Sequence, residues 1–324
     1  MSINVVFDHL DRNRVFIDSR RDCTGGCLYC YVSDYDLDSL PSVTKSSGAQ
    51  VAELLESAPS FTPGRYGTAI SLGCYADPLH PSCVRKTENV LTHVMPFGNP
   101  IQMASKCFTG GVAMARRIAA HQQYPGQLTL LVSITTFKRA RRLEPNAPPP
   151  QHRLQVLRVF RQAKINTALF IKPILVGITD HEVETFEATI KEFQIDRCVV
   201  GIFYANSRII ANLERQGLWT DELRGSTQGK RHFPNDARQT LVQFGNGDLL
   251  DRFVERLRRC TNTLVFKTSM CVVAHSLGIP DPMRTWRRYP DLCVRCQDCE
   301  GLVTALPIDL QSRYGGSCYG SPTI

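Results

Sequence analysis

Residues 21–31 of the chain read RDCTGGCLYCY, which places Cys23, Cys27 and Cys30 in one loop with the spacing C-x3-C-x2-C. Thiolates are preferred ligands of iron–sulfur clusters, and three of them can hold three irons of a 4Fe-4S cubane and leave the fourth open. Two adjacent glycines inside the loop let the backbone curl around such a cluster without a side-chain clash. A four-cysteine zinc site is the alternative, although such sites usually combine a C-x2-C pair with a distant second pair.

The composition sets the class of protein around this loop. The chain has 324 residues, of which 43% are hydrophobic and 21% charged, as in a globular protein with one large domain or a domain and an appendage. It has no run of about 18 apolar residues that would span a membrane, and its N-terminus mixes charges among apolar residues, unlike a secretory signal. We therefore expect a cytoplasmic protein, whose 13 cysteines are metal ligands rather than a disulfide framework.

Short apolar strands alternate with amphipathic helices through the first two thirds of the chain. Strands are predicted at residues 15–19, 68–72, 101–105, 128–135, 167–171 and 198–203. Helices are predicted at residues 44–57, 84–94, 111–120, 154–160 and 181–193. Because fully apolar strands separated by helices form parallel, helix-covered sheets, the predicted fold is α/β, a partial (β/α)6 TIM-like barrel over residues 1–205. The chemistry of such barrels lies at the C-terminal strand ends, where the cysteine loop, Cys74 and Lys106 fall.

The alternation breaks down in residues 206–324, which we interpret as a C-terminal extension over the barrel mouth. Residues 206–247 are rich in glycine, asparagine and charge and predict a variable, mobile lid. A helix is predicted at 248–259 and a further strand at 263–267, whereas the last 55 residues read as loop. We expect region 248–324 to hold an auxiliary cluster.

The ligands of this auxiliary cluster are predicted from a second cysteine motif. Cys293, Cys296 and Cys299 have the C-x2-C-x2-C spacing of ferredoxin-type loops, whose fourth ligand comes from elsewhere in the chain. Cys271 is the preferred fourth ligand, and the reserves are Cys260 and Cys318. We expect a second 4Fe-4S cluster here, with zinc as the alternative.

The cysteine loop and several later segments resemble the radical S-adenosylmethionine (SAM) superfamily, and within it the spore photoproduct lyase-like branch. The segments are SLGCYADP at 71–78, MASKCF at 103–108, SITTF at 133–137, LEPNAPPPQHR at 143–153 and KPILVGITDHE at 172–182. The resemblance covers roughly residues 15–205. It implies that Cys23, Cys27 and Cys30 hold a 4Fe-4S cluster, which an external donor such as flavodoxin or ferredoxin reduces. Exchangeable SAM bound to the cluster would yield a 5′-deoxyadenosyl radical that abstracts hydrogen from the substrate.

The resemblance also implies roles for single residues that bind SAM. These are Tyr29 packed over SAM, Asp77 in the segment after the second strand, Ser105 and Lys106 at the SAM carboxylate, Ser133 in a hydrogen bond to SAM, Glu144 and Arg153 organising the pocket, and Gly177 and Phe203 lining the adenine. Two of these residues have simpler interpretations. Lys106 would be a surface lysine, and Glu144 would pair with Arg141 or Arg142.

Cys74 is implied to be a hydrogen-atom donor. In the lyase a thiol at this place returns a hydrogen atom to the product radical, aided by tyrosines that flank the last cluster cysteine. In this chain Tyr29 and Tyr31 flank Cys30. We therefore expect catalytic roles for Cys74 and Tyr31. The alternative is that Cys74 is a small buried hydrophobic side chain, as free cysteine often is.

The substrate is left open by the sequence. A net charge of +8 is compatible with a phosphate-bearing substrate and equally with a solubility surface. The first hypothesis is lyase- or transferase-type C–C bond chemistry on a nucleoside or sugar nucleotide, as in the biosynthesis of nucleoside antibiotics. The second is repair of a DNA lesion, although no basic run with interleaved aromatic residues marks a DNA groove. The third is a non-catalytic iron–sulfur redox or binding protein.

Overall fold

In a computed structural model of the protein, which describes residues 3–7, 13–19, 23–32, 43–232, 240–245, 247–260 and 262–315, the strands form one mixed sheet. The strands are β1 (Ile3–Phe7), β2 (Arg14–Asp18), β3 (Val43–Lys45), β4 (Ala69–Leu72), β5 (Ile101–Ser105), β6 (Leu128–Ser133), β7 (Asn166–Ile174), β8 (Arg197–Ala205), β9 (Thr227–His232), β10 (Thr240–Phe244) and β11 (Leu264–Phe266). Their order is β3-β1-β2-β4-β5-β6-β7-β8-β10-β9, and β11 also pairs with β8. In the described part of the chain the sheet is not closed.

The centre of the sheet is the predicted six-stranded parallel core. Strands β2, β4, β5, β6, β7 and β8 pair in parallel in this order, which confirms the predicted fold class. Strand β8 is as long as β7, and its other edge is shared between two shorter partners. Its first residues pair in parallel with β11, and its last residues pair antiparallel with β10.

Helices follow the strands as predicted, with differences at several helix boundaries. The helices are α1 (Gly48–Ser57), α2 (Val84–Val94), α3 (Val112–Ala120), α4 (Ala140–Leu143), α5 (Pro150–Gln162), α6 (Val183–Glu192), α7 (Ser207–Arg215), α8 (Asp221–Gly225), α9 (Gly247–Cys260), α10 (Ser269–Leu277), α11 (Thr285–Arg288), α12 (Cys299–Thr304) and α13 (Ile308–Gly315). The first was predicted to start at residue 44. It starts at Gly48, because Val43–Lys45 pairs with β1 and the Ser47 side chain accepts the N–H of Gln50 as an N-cap.

Each central strand has an outer and an inner face. The apolar residues that pack against the surrounding helices are Val15 and Ile17, Ile70 and Leu72, Ile101 and Met103, Leu130 and Val132, Leu169 and Ile171, and Cys198 and Val200. Because side chains alternate along a strand, the residues between them face the inner, concave side of the sheet. On that side Ala69, Leu131, Ala168 and Val199 pack against α10.

The C-terminal extension contains more regular structure than was predicted. Within the described ranges, the last 55 residues contain most of α10 and all of α11, α12 and α13, so the loop prediction is wrong there. The predicted lid contains α7, α8 and the strands β9 and β10, while its residues 233–239 and 246 lie outside the described residues. The reserve ligand Cys318 also lies outside them. A helix signal was present in α7, where Ile209 and Leu213 are buried four residues apart, but the prediction for this region rested on its composition alone.

The extension divides between the two ends of the parallel strands. Helix α7 follows the C-terminal end of β8, and Arg208 of this helix donates to the carbonyl of Cys30 at 2.8 Å. The last part docks at the N-terminal ends, where Arg313 hydrogen-bonds Asn13 and Thr68. The expectation that the extension covers the mouth is therefore wrong for the part that carries the second cysteine motif. In the described part of the chain no helix is long and apolar enough to cross a membrane.

Candidate active site

The cysteine loop lies at the C-terminal end of β2, and its thiols are free. A Cβ atom added to Gly25 would lie 3.3 Å from Cys23 Sγ and 3.8 Å from Cys27 Sγ, so both sulfurs lie close to the same glycine. The amide of Cys30 donates to the carbonyl of Cys27 at 3.1 Å, which closes a turn at the end of the loop. Gly25 thus leaves free the space that a side chain would take from these sulfurs.

The loop is held in place by the segment after α4. The Leu28 amide donates to the Leu143 carbonyl at 2.9 Å, and Asn146 Nδ2 donates to the Thr24 carbonyl at 3.0 Å. Gly26 has a φ of +61°, and a Cβ there would lie 3.0 Å from Asn146 Nδ2. A glycine is therefore required at this position both for its backbone conformation and for the close approach.

The thiols of the loop have raised pKa values. Burial raises the pKa of Cys27 to about 12, against the lowering effect of the Lys106 ammonium. Burial likewise raises the pKa of Cys23 and of Cys30. A metal that binds these sulfurs must displace their protons, so binding depends on pH. Within the described ranges no three histidine, cysteine, aspartate or glutamate side chains have the geometry of a single-ion site.

A buried ionic network lies beside the loop. Tyr29 donates its hydroxyl hydrogen to Glu144 Oε1, and Lys106 Nζ lies 2.8 Å from Tyr29 Oη and 3.0 Å from Glu144 Oε1. Thr135 Oγ1 donates to the Tyr29 hydroxyl at 3.0 Å. The other carboxylate oxygen of Glu144 lies 2.5 Å from the Arg153 guanidinium. Five residues from distant parts of the chain thus meet at one carboxylate and one phenol.

This network overturns both of the simpler interpretations. The partners of Glu144 are Lys106 and Arg153 rather than Arg141 or Arg142. The Lys106 side chain is only 15% exposed, so it is not a surface lysine. Lys106 is held in the interior by the ionic network.

The charges in the network are stabilised mutually. Burial alone would raise the pKa of Glu144, but the Lys106 and Arg153 cations outweigh it and hold the pKa below its usual value. Burial lowers the pKa of Lys106, yet Glu144 and Tyr29 raise it well above its usual value overall. Burial and the Glu144 charge raise the pKa of Tyr29, which therefore keeps its hydrogen. The pair is ionised at neutral pH and the phenol is neutral.

Asp77 joins the ends of β4 and β5. Ser105 Oγ donates to Asp77 Oδ1 at 2.6 Å, and the Lys106 amide donates to Oδ2 at 2.7 Å. The Leu79 amide donates to Oδ1 at 3.0 Å. The Ser105 hydroxyl is therefore used within the chain, and Asp77 fixes the backbone from which the Lys106 side chain extends.

Cys74 follows β4 and has charged neighbours. Its thiol is under the electrostatic influence of Arg14, Asp18 and Lys172, and burial raises its pKa to about 12. Asp18 Oδ1 accepts the amides of Tyr75 and Ala76, each at 3.2 Å, and so holds the segment next to the thiol. Cys74 is half-buried and lies outside the apolar clusters of the described residues, and its raised pKa keeps the hydrogen on the sulfur at neutral pH.

Sequence reasoning missed three charged neighbours of this thiol. Arg14, Asp18 and Lys172 lie in strands whose other residues are mostly apolar. Burial raises the pKa of Asp18 to about 7. The charges themselves were a signal. A charged residue in an otherwise apolar strand of a helix-covered parallel sheet needs either a charged partner or an open, polar interior to face.

The remaining predicted residues lie around the same end of the sheet. Ser133 is buried, and its carbonyl accepts Arg153 Nη1 at 2.9 Å. Phe203 is 1% exposed and shares an apolar cluster with Tyr29 and with Ile178, the neighbour of Gly177. Tyr31, by contrast, is 39% exposed. The roles of these residues toward SAM stay predictions.

The second cysteine motif lies next to Cys271, its predicted fourth ligand. Cys271, Cys293, Cys296 and Cys299 line one small cavity, together with Asp281 and Gln297. Cys271 Sγ lies 3.6 Å from Asp281 Oδ2, and Gln297 Nε2 lies 3.6 Å from Cys299 Sγ. The fold thus brings a residue of α10 to a motif more than twenty residues later in the sequence. The side chain of the reserve residue Cys260 lies outside the described residues.

Comparison with known proteins shows the fold. Spore photoproduct lyase complexed with dinucleoside spore photoproduct is similar with a TM-score of 0.52 and 14% identity, over 76% of this chain and 74% of that chain. A mutant of that lyase with bound AdoMet and dinucleoside spore photoproduct has a TM-score of 0.53 and 13% identity, over 78% and 76% of the two chains. The expected likeness to this branch is therefore confirmed at the level of the fold.

Sequence comparisons reach less far. The uncharacterized protein ORF301 of Acidianus two-tailed virus is 27% identical over 110 residues, which are 33% of this chain and 35% of that protein. The match thus spans about a third of the viral protein's length. No family model matches the chain.

Proposed function

We propose that this chain is a radical SAM enzyme that acts on a nucleoside or nucleotide at the C-terminal ends of its parallel strands. The observation that carries the proposal is the C-x3-C-x2-C loop at the end of β2, in the fold of spore photoproduct lyase, beside a buried Tyr29–Glu144–Lys106 network. The proposed reaction forms or rearranges a C–C bond in natural-product biosynthesis. The test is anaerobic incubation with candidate nucleosides and nucleotides in heavy water, followed by mass spectrometry of each candidate. Failure of every candidate to change, while SAM is cleaved, would contradict the substrate class.

The residues of the loop suit the proposed cofactor. Cys23, Cys27 and Cys30 would hold a 4Fe-4S cluster, because they supply three soft ligands and Gly25 keeps the space beside two of the sulfurs open. When bound, the cluster and SAM supply a 5′-deoxyadenosyl radical by one-electron cleavage of the sulfonium. The protein contributes positioning and the exclusion of side reactions.

The residues around the loop have defined tasks in this proposal. Lys106 presents a fixed cation for the SAM carboxylate, since Glu144 orients its ammonium at 3.0 Å and Asp77 fixes its backbone. Arg153 is a positioning residue, because it acts through Glu144 and the Ser133 carbonyl. The apolar cluster that contains Tyr29 and Phe203 keeps water away from the adenine side. Ser105 reaches SAM only if its hydroxyl gives up its bond to Asp77.

Cys74 returns a hydrogen atom in this proposal. The S–H bond breaks and a C–H bond forms on the substrate radical. The sulfur radical that remains takes one electron from the external donor, with Tyr31 as the intervening residue, and one proton from solvent. We expect Cys74→Ala to cleave SAM but to lose solvent deuterium from the product, with a product yield lower by roughly tenfold or more. The measurement is mass spectrometry of the product made in heavy water.

The matched control for Cys74 is Cys83→Ala, which removes a buried thiol at the start of α2. This variant is expected to give the parent's product and deuterium content. If Cys74→Ala gives the same product, yield and deuterium pattern as the parent, Cys74 is not the hydrogen donor.

We propose a second 4Fe-4S cluster at Cys271, Cys293, Cys296 and Cys299, supported by the cavity that the four residues share. Anaerobically reconstituted protein is then expected to contain about eight irons and eight sulfides per chain, and Cys296→Ala about four. About four irons in the parent, or zinc in place of iron, would contradict the second cluster. The site lies at the N-terminal ends of the strands, and a six-residue strand spans about 20 Å. A structural or electron-carrying role follows rather than contact with the substrate.

Repair of a DNA lesion is the second candidate, favoured by the fold of spore photoproduct lyase and by a thiol at Cys74. Tight binding of duplex DNA with a steep salt dependence would support it. A non-catalytic iron–sulfur protein is separated from both candidates by its failure to cleave SAM. A cytoplasmic location and an external donor such as flavodoxin or ferredoxin complete the proposal.

A further inference from the structure

Two cationic side chains face the inner side of the sheet near Cys74. Arg14 alternates with Val15 in β2, and Lys172 alternates with Ile171 in β7, and both apolar neighbours pack outward against the helices. The hydrogen bond from Arg14 Nε to Ser71 Oγ, at 2.7 Å, joins inner-face residues of β2 and β4. Both cations act electrostatically on the Cys74 thiol.

These two cations have no acidic partner among the residues that the structure describes. The Arg14 guanidinium lies 4.6 Å over the Phe16 ring and uses its Nε for Ser71. The Lys172 ammonium neither donates a hydrogen bond nor forms an ion pair within those residues. Burial and the Arg14 charge lower the pKa of Lys172. Two neighbouring cations without a described counter-ion repel each other and make this part of the inner face positive, which suits an anionic ligand.

Gly201 on β8 fixes the direction of Lys172. A Cβ atom at Gly201 would lie 2.6 Å from Lys172 Cδ and 2.8 Å from both Cγ and Cε. The stem of the lysine therefore lies directly on the backbone of β8. A glycine inside a strand often marks such a close approach. The path of the stem is thus built into the sheet, and Lys172 itself is exposed to solvent.

A third polar group at this place lacks a partner. Asp18 is 3% exposed, and its Oδ2 atom receives no hydrogen bond from any described residue, whereas Oδ1 accepts two amides. Buried polar atoms are normally paired, so an open acceptor at the segment that carries Cys74, whose thiol both cations also influence, points to a missing ligand. Such a ligand carries an anionic group and a hydrogen-bond donor.

We propose that Arg14 and Lys172 bind a phosphate group of the substrate beside the Cys74 thiol, with Asp18 accepting a hydrogen bond from a substrate hydroxyl. Guanidinium binds phosphate oxygens in pairs, and ammonium binds them as a point charge. This phosphate subsite rests on the proposed function because it assumes the same substrate. It does not depend on the radical reaction, since phosphate binding needs no radical chemistry. It favours a nucleotide over a free nucleoside.

The test is calorimetric titration of inorganic pyrophosphate into the reconstituted protein with saturating SAM. Lys172→Met is expected to weaken binding roughly tenfold or more, since it keeps the stem and removes the charge. Gly201→Ala keeps every charge but displaces the stem, and we expect binding to weaken about threefold or more. Lys191→Met removes an exposed charge on α6 and is expected to bind as the parent does.

The control for folding is the urea denaturation of each variant. Lys172→Met is expected to be at least as stable as the parent, because it relieves repulsion with Arg14. A parent that does not bind pyrophosphate, or Lys172→Met and Lys191→Met variants that bind alike, would overturn the proposal. Tighter binding of malonate than of pyrophosphate would overturn the phosphate assignment. SAM cleavage is measured in parallel, so a failure of the radical chemistry is seen separately from a failure of the subsite.

Discussion

Cys27→Ala is expected to abolish formation of 5′-deoxyadenosine from SAM under reducing, anaerobic conditions. The variant keeps only two of the three cysteine ligands of the proposed cluster. The remaining ligand of that cluster would be SAM, which exchanges. We expect reconstituted Cys27→Ala to retain only the iron of the second site, about four per chain. The measurements are chromatography of the SAM products and iron analysis of the same sample.

Cys198→Ala is the matched control for this variant. Cys198 is fully buried on the helix-facing side of β8, and its thiol has no part in the proposed site. The control is expected to keep the parent's iron content and SAM cleavage. Undiminished cleavage by Cys27→Ala would show that the loop does not hold the reactive cluster.

Glu144→Gln is expected to lower the free energy of unfolding by about 3–5 kcal/mol, because it leaves the buried Lys106 and Arg153 cations without their counter-ion. The side chain that it replaces is 1% exposed, so water cannot screen the remaining charges. Urea denaturation of the parent and the variant measures the difference. SAM binding is expected to weaken as well, since Glu144 orients the Lys106 ammonium.

The stability difference is expected to depend on pH. The pKa of Glu144 is lower in the folded protein than in the unfolded chain. Its contribution is therefore fully present above the unfolded pKa, about 4.3, and is lost as the pH falls through the folded value. The gap between parent and Glu144→Gln is expected to be largest near neutral pH and to shrink in acid.

Glu184→Gln is the control for the loss of a carboxylate. Glu184 is 84% exposed and pairs with Arg256 at the surface, where water and salt screen the interaction. It is expected to unfold like the parent at each pH. If Glu144→Gln unfolds like this control, the buried network does not stabilise the fold.

Local sequence predicts the barrel core because its strands are short apolar runs between amphipathic helices. The start of the first helix was placed four residues too early, since Thr44 suits either a helix start or a strand and only pairing with Asn4 of β1 decides. The loop with Cys23, Cys27 and Cys30 was found because its three ligands are adjacent in sequence. Lys106 and Glu144 required the family resemblance, because they are 38 residues apart and meet only in the fold.

Features that depend on tertiary placement were missed. Arg14 and Lys172 look like ordinary interruptions of apolar strands until the inner face of the sheet is known. Helix α10 is mostly buried and only weakly amphipathic, so its position under the N-terminal halves of the strands was not predictable. Because α10 carries Cys271, its position also places the second cysteine motif away from the mouth of the barrel.

The central claim is tested most directly by incubating the anaerobically reconstituted protein with SAM and dithionite and separating the products. The account predicts 5′-deoxyadenosine and methionine in equal amounts, formed only with reductant. A protein with a reduced cluster at Cys23, Cys27 and Cys30 that leaves SAM intact would contradict it.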